Sequence, residues 1–218
     1  MLLTGNASLA NLITTLSVLL VAMTIHEFAH VYIALLAGDP TATDQGRLTL
    51  NPFVHINWIG FLMFALIGFG FLGSAPVNPN RMRNPRWGYL AAVAAGPVSN
   101  LLLAGLVALP VRLGLLPAAF PILSRLLPSL AEIVGALIFW NVLLFVFNML
   151  PFFPIDGWTV VRMLLPAPAR YTWEEHRMTS QFVLMALIFL PFVIPRLNVL
   201  GLIIFNPARA IIRLLIGS

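Results

Sequence analysis

The chain has 218 residues, 60% of them hydrophobic and 9% charged, with a mean hydropathy of +0.97. A soluble domain carries roughly 25% charged residues, so this composition excludes one and calls for a polytopic integral membrane protein. Its basic residues are all arginine and lie dispersed, which argues against nucleic acid as a partner and for loops anchored at anionic headgroups; the absence of cysteine excludes disulfides and thiolate metal sites.

Apolar segments occur at Ser8–Ala37, Ile56–Gly73, Trp87–Leu113, Ile133–Leu150, Phe182–Ile194 and Leu197–Ile216. A helical crossing needs about 20 apolar residues, a length that the first, third and fourth meet. The first lacks a basic leader and is too long for a signal sequence, so it is read as a mature helix. It carries His26-Glu27-Phe28-Ala29-His30. Spaced i and i+4, the two imidazoles share one helix face and can reach one Zn²⁺, while Glu27 sits where it can take a proton from water at the metal. A carboxylate in an apolar helix is costly in lipid and reads as functional.

Ile56–Gly73 contains Gly60, Gly68, Gly70 and Gly73, which weaken a helix. Gly46–Pro52 before it reads as a short extended segment ending in a turn, and Ser74–Asn80 after it as loop or extended chain. In the third segment Gly96, Pro97 and Asn100 read as residues that let helices pack closely. Pro117, Pro121 and Pro128 predict an exposed loop before the fourth segment. The last two segments are short or interrupted by Pro191, Pro195 and Pro207. They predict a hairpin, or one span plus an interfacial helix with Arg209 and Arg213 on its polar face.

Two histidines leave a catalytic zinc one protein ligand short. Asp156 is the best third candidate, because prolines break the backbone just after the fourth segment, although Asp-Gly after prolines is also an ordinary turn. His26 lies roughly 25 Å along the first segment at about 1.5 Å per residue. A full crossing by Ile56–Gly73 would put the ends that carry His30 and Asp156 on opposite sides of the bilayer. A segment that dips in and returns lets the site close. With the N-terminus outside and a final crossing at the C-terminus, Arg47, Arg81, Arg83, Arg86, Arg162, Arg170, Arg177, Arg209 and Arg213 then fall inside, against Arg112, Arg125 and Arg196 outside; a full crossing in the opposite orientation gives eight against four, so the metal geometry separates the two better than charge does.

Taken in order, His26–His30, Gly46–Pro52 with His55, Ala75-Pro76-Val77-Asn78-Pro79, Ala95–Asn100 and Asn148–Gly157 resemble the landmarks of the site-2 protease family of intramembrane zinc metalloproteases. The resemblance covers roughly residues 15–165. It implies one Zn²⁺ per chain held by His26, His30 and Asp156, with Glu27 as general base and proton shuttle. Asn148 matches a family asparagine that would hold the substrate backbone or the oxyanion. Gly46–Asn51 and Ser74–Asn78 would offer strand edges to an unwound substrate. Asn57, Phe71-Leu72-Gly73-Ser74 and Trp158 depart from the family pattern without removing a ligand.

His55 reads as a loop residue or one that supports a ligand from behind, since a catalytic zinc must keep an open position. Asp44 reads as part of a turn, and His176 as part of a solvated face. The expected architecture is a single transmembrane domain over 1–218. It comprises a three-span core within 8–165, a re-entrant segment, and a C-terminal hairpin or span within 178–216, with no PDZ or nucleotide-binding appendage. The expected function is hydrolysis of peptide bonds in or near transmembrane segments of membrane proteins. The expected location is a bacterial plasma membrane, with the site toward the cytoplasm. The alternatives are a catalytically silent scaffold or chaperone that keeps its metal and, less well supported, a metal transporter, for which further ligands along the spans are lacking.

Overall fold

The computed structural model describes residues 8–67, 70, 73, 75–124, 126–194 and 196–217. Helix α1 spans Leu9–Ala37. The Ser8 side chain caps it by accepting the Asn11 N–H at 3.1 Å. At the other end Gly38 adopts φ +108°, and the Gly38 and Asp39 N–H groups donate to Leu35 and Ala34 carbonyls. Only glycine takes that left-handed conformation cheaply.

Short helices α2 (Thr41–Asp44), α3 (Pro52–His55) and α4 (Trp58–Ile67) follow, then a 3₁₀ turn at Pro79–Arg81. The remaining helices are α5 (Pro85–Arg112), α6 (Leu130–Asn148), α7 (Asp156–Leu164), α8 (Ala167–Glu175), α9 (Arg177–Val193) and α10 (Val199–Ile216). α1, α5, α6 and α10 are long and apolar enough to cross a membrane, and α8 and α9, bent by 54° where they meet, offer a fifth candidate. The protein is an all-α polytopic membrane protein. α5 lies at its centre, packed on α1, α6, α7 and α10.

The segment between α1 and α5 behaves as its glycines suggest. Ten residues of α4 give about 15 Å of helix, half of a hydrocarbon core about 30 Å thick. Ile56 and Gly73, at the two ends of the segment, pair in an isolated antiparallel bridge, so the chain returns to where it left. Phe64 packs with Leu19, Met23 and Leu144, while Ile59, Leu62 and Met63 remain exposed, as residues facing lipid would be. The segment is re-entrant.

Two expectations are corrected. α10 begins with Leu200 packed beside Leu150 and Ile155, and ends where Arg112, at the close of α5, donates to the Leu214 carbonyl at 3.0 Å. α10 thus runs alongside α5, and Arg209 and Arg213 lie toward the Arg112 end, opposite the end assigned from charge counting. Arg47, Arg81 and Arg83 lie beyond the end of α1 that carries His30, Arg86 bonds the end of α7, and Arg162, Arg170 and Arg177 belong to α7, α8 and α9, against Arg112, Arg209 and Arg213 toward the far end. Among its described residues the proline-rich stretch before α6 is the expected, mostly exposed loop, and it is anchored: the buried Glu132 carboxylate accepts the Leu123, Ser124 and Ser129 N–H groups and both serine hydroxyls. Gly46–Asn51 forms turns and bends instead of an extended segment, because Gly46 takes φ +70° and Arg47 N–H bonds back to Ala42. The expectations for Gly68, Phe71, Leu72, Ser74, Arg125 and Pro195 fall outside the described residues.

The cysteine-free chain allows a direct test of the re-entrant topology. Single cysteines replacing Arg47 and Arg83 should both react with a membrane-impermeant maleimide from one side of sealed vesicles, and one replacing Arg213 should react from the other. Labelling of Arg47→Cys and Arg83→Cys from opposite sides would show that α4 crosses.

Candidate metal centre

The first two candidate ligands follow from helix period alone. His26 and His30 lie one turn apart on the buried face of α1, their Nε2 atoms 3.0 Å apart. Each ring is held from behind through Nδ1. His30 Nδ1 donates to the Ala92 carbonyl at 2.8 Å, and His26 Nδ1 donates to Asn100 Oδ1 at 2.7 Å. Both Nδ1 atoms therefore carry the ring hydrogen, and both Nε2 lone pairs point into the site.

Asp156 supplies the third donor. α6 ends at Asn148, the prolines prevent it from continuing, and α7 opens on Asp156 rather than leaving it in a turn. Gly157 makes this junction possible: a Cβ there would lie 2.3 Å from the Leu150 carbonyl oxygen and 2.5 Å from that of Met149. At the far end of α7, Arg86 donates to the carbonyls of Met163, Leu164 and Leu165 at 2.8, 3.2 and 3.0 Å, tying that helix to α5. Trp158, unusual for the family resemblance, stacks on Trp173 at 4.4 Å, with the Trp173 indole donating to the Trp158 carbonyl.

Asp156 Oδ2 lies 3.2 Å from His26 Nε2 and 3.4 Å from His30 Nε2, and it is buried without a hydrogen-bond partner. Three lone-pair atoms thus face one another with separations of 3.0 to 3.4 Å. Donors about 2.0–2.1 Å from a tetrahedral zinc are separated by about 3.3 Å, so the triangle fits the ion without rearrangement. Among the described residues this is the one grouping of His, Asp and Glu side chains that could hold a metal.

Glu27 sits beside the ligands, buried, with Oε2 lacking any partner. Two glycines shape its surroundings. A Cβ at Gly96 would come within 2.3 Å of His30 Nε2 and 2.7 Å of His26 Nε2; one at Gly73 would meet Glu27 Oε1 at 2.6 Å. α5 therefore passes directly against the two ligands, and the end of the re-entrant segment passes over the carboxylate. Ligands, Glu27, Gly73, Ala75, Val77 and Asn148 all border one cavity of about 340 Å³.

Asn148 thus shares the cavity, with Nδ2 donating to the Leu144 carbonyl at 3.0 Å. His55 does not: its Nε2 donates to the Thr49 carbonyl at 2.6 Å, and no bond joins it to a ligand. Gly46–Asn51 does not border the cavity either, whereas Ala75 and Val77 do. His176 bonds Thr172 on an exposed turn, and Asp44 pairs with Arg81 at the surface. Gly96 and Asn100, read from the sequence as packing residues, touch the ligands themselves; a polar or small residue within a span signals both roles alike.

Asp39, at the end of α1, fixes the return segment. Its carboxylate accepts the Asn78 N–H at 2.6 Å and both the N–H and hydroxyl of Thr41. Burial opposes its ionisation, but these bonds, with Arg81 nearby, hold the carboxyl below its ordinary range. A carboxyl lowered in this way adds stability at neutral pH, and loses it as pH falls below about 4 toward the folded value. Asp39→Ala should cost about 1 kcal/mol at pH 7. The difference in melting temperature from the unsubstituted protein should close below about pH 4. Gly96→Ala should reduce zinc bound after dialysis by about tenfold or more, because the methyl must displace a ligand ring; unchanged zinc content would contradict the close approach.

Comparison with known proteins agrees with this geometry. The chain is 34% identical over 173 residues to a Bacillus subtilis (strain 168) protein named "Putative zinc metalloprotease YwhC", covering 79% of this chain and 78% of that one. It is 31% identical over 144 residues to "Putative zinc metalloprotease Rip2" of Mycolicibacterium smegmatis, covering 64% and 52%. No family model matches the chain, and no solved structure does. With the zinc motif, the third donor and a relative of this identity aligned over most of both chains, the protein belongs to the site-2 protease family of zinc metalloproteases.

Proposed function

We propose that the protein is a zinc-dependent endopeptidase that hydrolyses peptide bonds in or near transmembrane segments of other membrane proteins. The observation that carries this reading is the cavity inside an apolar helix bundle, where three metal donors and a carboxylate with one unpartnered oxygen meet beside non-helical chain. Bound zinc would polarise the scissile carbonyl and acidify the attacking water. His26, His30 and Asp156 would hold it, one ion per chain. Glu27, with no competing hydrogen bond on Oε2, takes the proton from the water and delivers it to the leaving amine. Asn148 uses one amide hydrogen on the Leu144 carbonyl and keeps the other for the substrate backbone or the oxyanion.

A substrate helix hides its carbonyls in i→i−4 bonds and must unwind before it can react. The chain at Ala75 and Val77, bordering the cavity outside any helix, offers main-chain groups to the unwound stretch. The arginines beyond the end of α1 and along α7 to α9 support an orientation with the site toward the cytoplasm, and the bacterial relatives support a bacterial plasma membrane.

Glu27→Gln should lower cleavage of a membrane-protein substrate by at least about 10²–10⁴-fold while zinc content stays at the unsubstituted level. Retained cleavage would remove Glu27 from the mechanism. Absence of cleavage by the unsubstituted protein across a panel of Gly-bearing transmembrane segments would favour a silent scaffold.

A further inference from the structure

A run of directed hydrogen bonds continues behind the metal centre into a third helix. His26 Nδ1 donates to Asn100 Oδ1 at 2.7 Å; Asn100 Nδ2 donates to the Ala22 carbonyl at 3.1 Å and to Asn141 Oδ1 at 2.9 Å; Asn141 Nδ2 donates to the Leu137 carbonyl at 2.8 Å. Asn100 and Asn141 are both fully buried, on α5 and α6. We infer that Asn141 is a positioning residue for metal binding: together with the Ala22 carbonyl it fixes which end of the Asn100 amide faces His26, and so keeps the His26 Nε2 lone pair free for the metal.

The two ends of an amide have nearly the same shape but opposite hydrogen-bonding character, so shape alone does not orient Asn100. A backbone carbonyl can only accept. Leu137 therefore requires the Asn141 NH₂ group, which turns Asn141 Oδ1 toward Asn100. Asn141 Oδ1 and the Ala22 carbonyl together then require the Asn100 NH₂ group, which leaves Asn100 Oδ1 for His26. Were Asn100 reversed, its oxygen would face two other oxygens and its NH₂ would face His26 Nδ1. That nitrogen would have to give up its hydrogen, and the hydrogen would move to Nε2, the atom that faces His30 and Asp156. A ring protonated there cannot bind a metal.

A polar pair between two spans can also serve only to hold them together. The two roles part in what they predict for the metal. The inference rests on the metal-site reading above, and the test keeps the two apart. In detergent at fixed pH, zinc affinity is measured by chelator competition, and the metal-free melting temperature is measured alongside. The proteins are the unsubstituted chain, Asn141→Leu, and Asn141→Leu combined with Asn100→Asp. Aspartate can turn an oxygen to His26 in either orientation, and its other oxygen, when protonated, donates to the Ala22 carbonyl.

Asn141→Leu should bind zinc about 10–100-fold more weakly, the range typical for groups that orient a ligand. The Asn100→Asp combination should return affinity to within about threefold of the unsubstituted value, whatever the change in melting temperature. Unchanged zinc affinity in Asn141→Leu, or a loss that Asn100→Asp leaves in place, would overturn the inference. If Asn141→Leu does not fold, Asn141→Ala decides by the same measurements. A chain that folds with neither would assign Asn141 to bundle assembly and overturn the inference as well. An unsubstituted chain that binds no zinc would instead overturn the metal site itself.

Discussion

Three lone pairs aimed at one another across 3.0 to 3.4 Å repel unless a cation lies between them, and the rest of this structure is arranged around that constraint. His26 and His30 meet the requirement within one helix. Asp156 meets it only if the chain brings the end of α6 back to the depth of His26. The prolines after Asn148 end α6, Gly157 lets α7 start against the last carbonyls of that turn, and Arg86 holds the far end of α7 on α5. Each of these local features would be a cost by itself in an apolar bundle. Together they place one carboxylate oxygen beside two imidazoles.

The same economy of space explains the glycines. Gly96 and Gly73 bring backbone to within contact of the ligand rings and of the Glu27 carboxylate, where any side chain would collide. One comes from a spanning helix and the other from the returning end of the re-entrant segment. The site is thus enclosed on one side by rigid helix and on the other by a short loop tethered through Asp39 and the Ile56–Gly73 bridge. Ala75, Val77 and Asn148 complete the lining of the cavity beside the carboxylate. The re-entrant segment therefore serves both the topology and the site.

Much of this was legible in the residues themselves. The i, i+4 histidines needed only the helix period, and Asp156 followed from a missing ligand together with prolines that break a span. The dip of Ile56–Gly73 followed from requiring those ligands to share a side. What was not legible has a common cause. Asn100 and Gly96 lie on a helix where small and polar residues serve packing just as often, so their contact with His26 and His30 appears only once α5 is placed against α1. The direction of α10 was misread because counting arginines treats Arg209 and Arg213 as belonging to one side, whereas the bond from Arg112 to the Leu214 carbonyl fixes the other. The turns at Gly46–Asn51 were hidden because a positive φ at Gly46 leaves no pattern in the neighbouring residues.

The central claim is that one zinc is held by two imidazoles and the Asp156 carboxylate. X-ray absorption at the zinc edge on the purified protein tests it most directly. The account predicts one zinc per chain with two imidazole nitrogens and a carboxylate oxygen among its ligands, at about 2.0–2.2 Å, and loss of that oxygen in Asp156→Ala. A spectrum unchanged by Asp156→Ala, or a zinc bound by imidazoles alone, would contradict it.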